Sequence, residues 1–359
     1  MTLMSPILDT RPWAFSLSAL TAGLRQYTGD STLNILEAQE HGIPYQRPGR
    51  GRIRGFRAIC ESAGEKRYFE MVVKEPRGVT RAGTASAGWR EVSFYRSLVD
   101  QLPIIVPDMV AAEPSGEWIV LDLVPGWELP EHWTADEYLS AVDQLVLLHD
   151  RFWGLSEDLA TYIWLSRPLD ADFEVYRLAA EIGLQRLMVY NPDSLLNRDP
   201  ELIRNLERLV KQAGKVAATL RSETATLIHG DYWPGNIIIN NSGKLYTIDW
   251  QRTAIGPGVL DLVNFIKLSQ WFFTTIPVPV EELVLRYRQG IAQSAGHRWD
   301  EETWSNLWDY SLLWIFLADW SDLLANIPNS LLATQSRLLE EVWFGPVEAA
   351  VERRLKEIA

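Results

Sequence analysis

The sequence predicts an α+β chain of two lobes, a small β-rich lobe over residues 1–125 and a larger, mainly helical lobe over residues 126–359. Three observations predict it. At 359 residues the chain exceeds what a single hydrophobic core usually supports. Short β-like runs separated by Gly, Pro and charged turns crowd the first third. After Pro125-Gly126 the apolar pattern turns helical and stays so to the end, apart from one hairpin.

Residues 12–27 read as a helix, because Trp13, Phe15, Leu17, Leu20 and Leu24 fall near one face. Leu33 to Glu40, Ile53 to Glu61 and Arg67 to Lys74 read as strands. Thr84 to Val99 opens on small residues and carries Trp89, Val92, Phe94, Tyr95 and Leu98, which suits a helix. Val106 to Ala112 and Glu117 to Val124 then flank a turn at Pro114-Ser115-Gly116 as two more strands. Pro125-Gly126 breaks whichever element precedes it and marks the domain boundary. Beyond it, Asp136 to Trp153, Phe173 to Tyr190 and Glu201 to Arg221 are helical, and after the hairpin helical runs resume at 259–272, 281–295, 301–325 and 331–357. No internal repeat or low-complexity tract appears.

Hydrophobic and charged contents of 47% and 23% are those of a folded chain. The one cysteine, Cys60, excludes an intrachain disulfide framework and fits a reducing compartment, and without a Cys- or His-rich cluster a zinc site is not expected. The first six residues lack a basic, apolar leader, and runs such as Leu312 to Ala318 are too short to span a bilayer, so a cytoplasmic protein without membrane insertion is expected. The first 125 residues carry equal numbers of basic and acidic side chains, so the whole net charge of −13 lies beyond them. Such an acidic field attracts cations and repels nucleic acid.

The chemistry is concentrated in His229-Gly230-Asp231-Tyr232-Trp233-Pro234-Gly235-Asn236 and Ile248-Asp249-Trp250. Phosphoryl transfer passes through a loose transition state with charge on peripheral oxygens, so a protein mainly positions the acceptor hydroxyl and holds magnesium. Asp231 would accept or orient the acceptor proton, and Asn236 and Asp249 would supply hard oxygen ligands to the metal. Pro234-Gly235 lets the chain reverse between Asp231 and Asn236. Ile237-Ile238-Ile239, a turn at Asn241-Ser242-Gly243 and Lys244 to Ile248 form a hairpin expected to return Asp249 beside Asn236.

A nucleotide then belongs in the first lobe. Met71-Val72-Val73-Lys74 ends a strand on a lysine suited to nucleotide phosphates, and Glu91 in the next helix can lock it by an ion pair. The turn Gly49-Arg50-Gly51-Arg52-Ile53-Arg54-Gly55 brings bare backbone close to phosphate oxygens at Gly49 and Gly51, while Arg50, Arg52 and Arg54 individually read as an exposed face. Trp118 to Val124 is apolar enough to line a base slot, with backbone groups of Asp122, Leu123 and Val124 at the base edge. No Gly-x-x-x-x-Gly-Lys-Ser/Thr loop is present.

On these motifs the chain resembles the aminoglycoside phosphotransferase and choline kinase-like superfamily, which shares the protein-kinase fold. The resemblance covers most of the chain, including Gly256 to Leu262 and Leu148 to Trp153. It implies Asp231 as catalytic base, Asn236 and Asp249 as magnesium ligands, Lys74 as the phosphate contact, and His229 and Asp261 as structural supports. The cofactors implied are ATP, or GTP in its place, and Mg2+. The Arg-heavy glycine loop departs from the family pattern, and Trp250 stands where protein kinases carry Phe-Gly.

The acceptor this resemblance implies is a small-molecule hydroxyl. Thirteen of the 16 Trp lie in the second lobe with the acidic excess, a combination that suits a cationic acceptor. Candidate wall residues are Asp150, Trp153, Trp164, Asp170, Trp233, Trp271 and Asp319, although core packing also accounts for any one of these Trp. A neutral sugar or other hydroxylated metabolite also fits. Two competing readings are a nucleotide-binding pseudoenzyme or regulatory protein of the same fold, and a protein kinase. The absence of Asp-Phe-Gly and Ala-Pro-Glu segments speaks against the latter.

Overall fold

The computed structural model describes residues 12–43, 52–75, 84–126, 128–190, 199–273 and 275–356, so Gly49, Arg50 and Gly51 lie outside the described residues. The chain divides into two compact units. The first comprises residues 1–80, 86–129 and 237–251, and the second comprises 81–85, 130–236 and 252–359.

The first unit is a five-stranded antiparallel sheet in the order β1-β2-β3-β5-β4. Its strands are β1 (Asn34–His41), β2 (Arg52–Ser62), β3 (Glu65–Glu75), β4 (Met109–Ala112) and β5 (Ile119–Asp122). Helix α1 (Leu17–Thr28) packs on β1 and β4 over a core of Leu20, Leu24, Phe56, Met71, Val73 and Val120. Gly23 permits that approach, since a Cβ there would collide with the Val110 carbonyl and Ala111. The helix begins at Leu17 and not at residue 12, because the Ser16 hydroxyl caps it by accepting the Ala19 N–H at 3.1 Å. Trp13 and Phe15 precede the helix and still join the core, with Trp13 5.1 Å from the Phe56 ring. Helix α2 (Ala87–Ser97) buries Arg90, Glu91, Val92, Phe94 and Tyr95.

The hairpin groups with this unit. Strands β7 (Ile237–Ile239) and β8 (Leu245–Thr247) pair antiparallel, with Ile237 opposite Thr247. Asn240 Oδ1 organises the turn by accepting the N–H of Ser242 and of Lys244. Backbone bonds from Thr247 N–H to Ile105 O and from Glu128 N–H to Ile239 O tie the hairpin to its unit.

The second unit is mainly helical. Helix α3 (Ala135–Arg151) starts in a capping box of Thr134 and Glu137. It is followed by α4 (Ser156–Ala160), α5 (Phe173–Tyr190), α6 (Pro200–Lys211) and α7 (Ala213–Arg221). The run expected unbroken over Glu201 to Arg221 divides at Gln212, whose backbone leaves the helical region while its side-chain Nε2 donates to Lys356 O. Then come α8 (Val259–Phe272), buried over Val259 to Ser269, α9 (Val280–Ser294), packed on α3, and α10 (Glu301–Ile315). Two π-turns, Phe316–Trp320 and Glu340–Phe344, interrupt the last helical stretches. Two short strands, β6 (Thr226–Ile228) and β9 (Ala254–Gly256), pair antiparallel and were not expected from the sequence. No helix among the described residues is long and apolar enough to cross a membrane.

Candidate active site

In the first unit Lys74, Glu91 and Asp249 come together. Strand β3 holds Lys74 opposite Ile53 of β2 and Ile119 of β5, so the lysine is buried in the middle of the sheet. Its ammonium lies 2.7 Å from Glu91 Oε2 and also pairs with Asp249 Oδ1. Burial by itself would lower the Lys74 pKa, but the two carboxylates outweigh it and the net shift is upward, which keeps the ammonium charged. Glu91 is raised, first by burial and then by Asp249, while Lys74 draws it back.

Asp249 has φ +67°, a left-handed backbone that costs free energy in a non-glycine residue and that Asp tolerates better than most. Helix α2 holds the strained segment. Phe94 stacks on the fully buried Trp250 ring at 4.1 Å, and the Arg90 guanidinium donates to Gln251 O at 2.8 Å. Asp249 Oδ2 accepts from Gln251 Nε2 at 3.2 Å.

The backbone at 122–124 is partly committed. The Asp122 N–H donates to Asp108 O and the Leu123 N–H to Glu70 O, which leaves the N–H of Val124 without a backbone partner among the described residues. Burial, with Asp108 nearby, raises the Asp122 carboxyl. Arg52 pairs with Glu75 and Arg54 with Glu40, each at 3.3 Å, and Arg54 also lies 3.8 Å over the Trp13 ring. Both arginines are thus built into the sheet.

In the second unit, β6 delivers His229, Gly230 and Asp231. Asp261, on the first turn of α8, accepts the His229 N–H at 2.7 Å and the Gly230 N–H at 2.9 Å. Gly230 has φ +78°, and a Cβ there would strike the Arg252 carbonyl, so only glycine fits. His229 Nδ1 accepts the Asp231 N–H at 3.2 Å. The Asn236 Nδ2 donates to Asp231 O at 2.8 Å and to Asp231 Oδ2 at 3.0 Å, which leaves the amide Oδ1 as an oxygen donor for another group.

Further supports carried little signal in the sequence. Buried His149 donates from Nε2 to Asp261 Oδ2 at 3.3 Å and accepts the Tyr287 hydroxyl at Nδ1, 2.9 Å away. His149 stands in the Leu148 to Trp153 segment that carried the resemblance, whereas nothing local marked Tyr287. Arg252 pairs with Asp319, and although burial would lower its pKa, Asp319 and then Asp231 outweigh that and raise it. Gly230, Arg252, Asp261, Asn264 and Asp319 line one cavity of about 50 Å³.

The aromatic candidates separate. Trp233 packs on Phe272 at 4.7 Å, and Trp271 on Trp320, the neighbour of Asp319, at 4.9 Å. Trp153 instead meets His297 and Trp299, Trp164 meets Tyr162, and Asp170 pairs with Arg221 on the surface. Asp150 is half-buried near the end of α3. Of the seven wall candidates, Asp319 alone lines the cavity beside Gly230.

The family model of the phosphotransferase enzyme family, APH, matches residues 62–301. No curated protein matches the chain in sequence. Among solved structures, the ternary complex of streptomycin, ATP and APH(2'')-IIa is 16% identical with a TM-score of 0.51, over 87% of this chain and 94% of that one. ADP-bound aminoglycoside phosphotransferase APH(2'')-Ib is 16% identical with a TM-score of 0.51, over 91% and 98%. The gentamicin complex of APH(2'')-IIa is 14% identical with a TM-score of 0.50, over 93% and 95%. These likenesses carry the fold, which is α+β and protein-kinase-like. Because the family model runs from before Lys74 to beyond Asp261, the chain belongs to the APH phosphotransferase enzyme family, as a small-molecule kinase acting on hydroxyl groups.

Proposed function

We propose that the chain transfers the γ-phosphoryl group of ATP, with magnesium, to a hydroxyl of a small cationic molecule, with Asp231 as the catalytic base. The observation that carries this reading is the buried Lys74 ammonium held between Glu91 and Asp249. Burying the charges of Lys74 and Glu91 beside the half-buried Asp249 costs more than apolar packing would, so such a cluster is better explained by use than by stability. Glu91 fixes Lys74 for the nucleotide phosphates, and the first unit binds the nucleotide, with the free N–H of Val124 at the base edge. The adenine nucleotides of the APH(2'')-IIa and APH(2'')-Ib complexes favour ATP, and GTP remains the alternative.

Asn236 Oδ1 and the Asp249 carboxylate are hard oxygen donors of the kind Mg2+ prefers, which fits the two residues to that ion. Magnesium bound there would neutralise phosphate charge during transfer. Asn236 also restrains the Asp231 carboxylate through Nδ2. His229 Nδ1 holds the Asp231 N–H and Asp261 holds the two N–H groups before it, so Asp231 meets the acceptor hydroxyl and takes its proton from a fixed position.

A cationic acceptor is supported by the acidic balance of residues 126–359 and by Asp319 at the cavity. The streptomycin and gentamicin held by APH(2'')-IIa are both amine-bearing. With a single buried cysteine, we place the protein in the cytoplasm. Asp231→Asn should lower transfer from ATP to hydroxylated amines by about 1000-fold or more while nucleotide affinity is kept. Unchanged turnover would overturn the assignment. A nucleotide-binding pseudoenzyme would show nucleotide affinity with no transfer to any acceptor.

A further inference from the structure

The second unit holds a larger cavity, of about 400 Å³, lined by residues other than those around the cavity beside Gly230. Strand β9 and the segment before α5 divide the two. Ser166 bridges to Ala254 in parallel and its carbonyl accepts the Ile255 N–H at 2.9 Å, so the chain beyond Ser166 runs beside β9. Successive side chains of an extended chain face opposite ways. Pro168 and Ala254 accordingly line the cavity beside Gly230, whereas Arg167, Leu169 and Ile255 line the larger one. Leu220 at the end of α7 and Pro257 after β9 complete an apolar wall. Its frame is held by main-chain bonds: the Gly154 N–H donates to Ala225 O at 2.9 Å, and the Arg167 N–H to Asp172 Oδ2 at 2.8 Å. Small-molecule sites have this order of volume, with apolar walls and a few fixed polar groups.

Four charged residues line the same cavity. Arg221 and Asp170 pair with each other at 3.5 Å, so their charges cancel. The Arg167 guanidinium and the half-buried Glu223 carboxylate make no ion pair or hydrogen bond among the described residues, with each other or with anything else. One cavity thus presents an unmatched cation, an unmatched anion and an apolar wall. We propose that it is a second binding site, for a small zwitterion with an apolar side chain, an α-amino acid by class. Its carboxylate meets the Arg167 fork, its ammonium meets Glu223, and its side chain covers Leu169, Leu220 and Ile255. An acid without the amine would bring like charge toward Glu223, and an amine without the acid would do so at Arg167. The site goes beyond the phosphotransfer reading, because its ligand needs neither a hydroxyl nor the nucleotide.

Leucine, isopentylamine and isocaproate share one side chain and differ in charge, as do phenylalanine, phenethylamine and hydrocinnamate. Each would be titrated into the full chain without nucleotide, following Kd and the thermal midpoint. Leucine or phenylalanine should bind about tenfold or more tightly than both of its single-charge analogues. Arg167→Gln should bring the amino acid down to the affinity of its amine, and Glu223→Gln to that of its acid. A merely structural role for either residue would weaken all three probes alike. Arg167 is exposed and Glu223 half-buried, so both variants should keep the parent midpoint in the absence of probe. The proposal is overturned if neither amino acid binds, if each binds no better than one of its analogues, or if the preference survives either exchange. Since no probe carries a hydroxyl to phosphorylate, that failure would leave the phosphotransfer reading standing, and loss of nucleotide binding would leave this site standing.

Discussion

At the residue scale, the strongest constraints sit on backbone groups. Asp261 satisfies the N–H groups of His229 and Gly230, one with each carboxylate oxygen. Asp261→Asn keeps the shape but offers one acceptor oxygen in place of two, so one N–H is orphaned at a cost of about 1–3 kcal/mol. Urea unfolding should show that loss, together with reduced turnover. Gly230→Ala combines φ +78° with a clash on the Arg252 carbonyl, and should likewise cost about 1–3 kcal/mol or fail to fold. Lys267 gives a signed pH dependence. Its pKa is pushed down from 10.5 to about 8 in the folded chain, so the unfolded chain binds more protons between those values. Stability contributed by this group therefore rises with pH across that window, by on the order of 3 kcal/mol in total. Unfolding measured from pH 7 to 10.5 should lose this rise in Lys267→Met.

At the element scale, α2 and the hairpin act as one support for Asp249. Trp250 is fully buried and stacked on Phe94, and Arg90 fixes the Gln251 carbonyl. Trp250→Ala should cost about 3–5 kcal/mol and also weaken magnesium-dependent nucleotide binding, because the left-handed Asp249 loses its anchor. A denaturation curve paired with a nucleotide titration would separate the two effects. Gly23→Val tests the other side of the sheet. Its added bulk meets the Val110 carbonyl and Ala111, so α1 must lift from the strands and stability falls while the Lys74 cluster stays in place. The boundaries of α1 and of the break at Gln212 show how local chemistry sets element ends. A serine cap at Ser16 outweighed the apolar spacing of Trp13 and Phe15, and a bond to Lys356 O fixed the Gln212 side chain where the helical pattern ran on.

At the scale of the whole molecule, the chain forms two compact units, and residues 237–251 return from the second half of the sequence to the first unit. A ligand that binds only the folded chain stabilises it by mass action, about 2.7 kcal/mol at 100 times its Kd. Magnesium with an ATP analogue should therefore raise the thermal midpoint, and removing the metal with EDTA should cancel most of the rise. An unchanged midpoint at saturating nucleotide would count against the proposed cofactor. The net charge of −13 predicts no measurable binding to duplex DNA at physiological salt in a fluorescence titration.

Much of the candidate site's local geometry was legible because its residues are close in sequence. His229 to Asn236 and Ile248 to Trp250 are short segments whose spacing already encodes a turn and a hairpin, and Lys74 with Glu91 follows from a strand end and the next helix. The same locality made the five strands of the first unit readable from alternation and turns, since each pairs with a neighbour or near neighbour. What only the tertiary structure decided are the partners brought from afar. Strands β6 and β9 are three residues each, too short to show a period. His149, Tyr287, Arg252 with Asp319, and the burial of Lys267 depend on packing between helices. A side chain's periodicity reveals that it is buried, whereas the group that answers its charge is fixed by the fold.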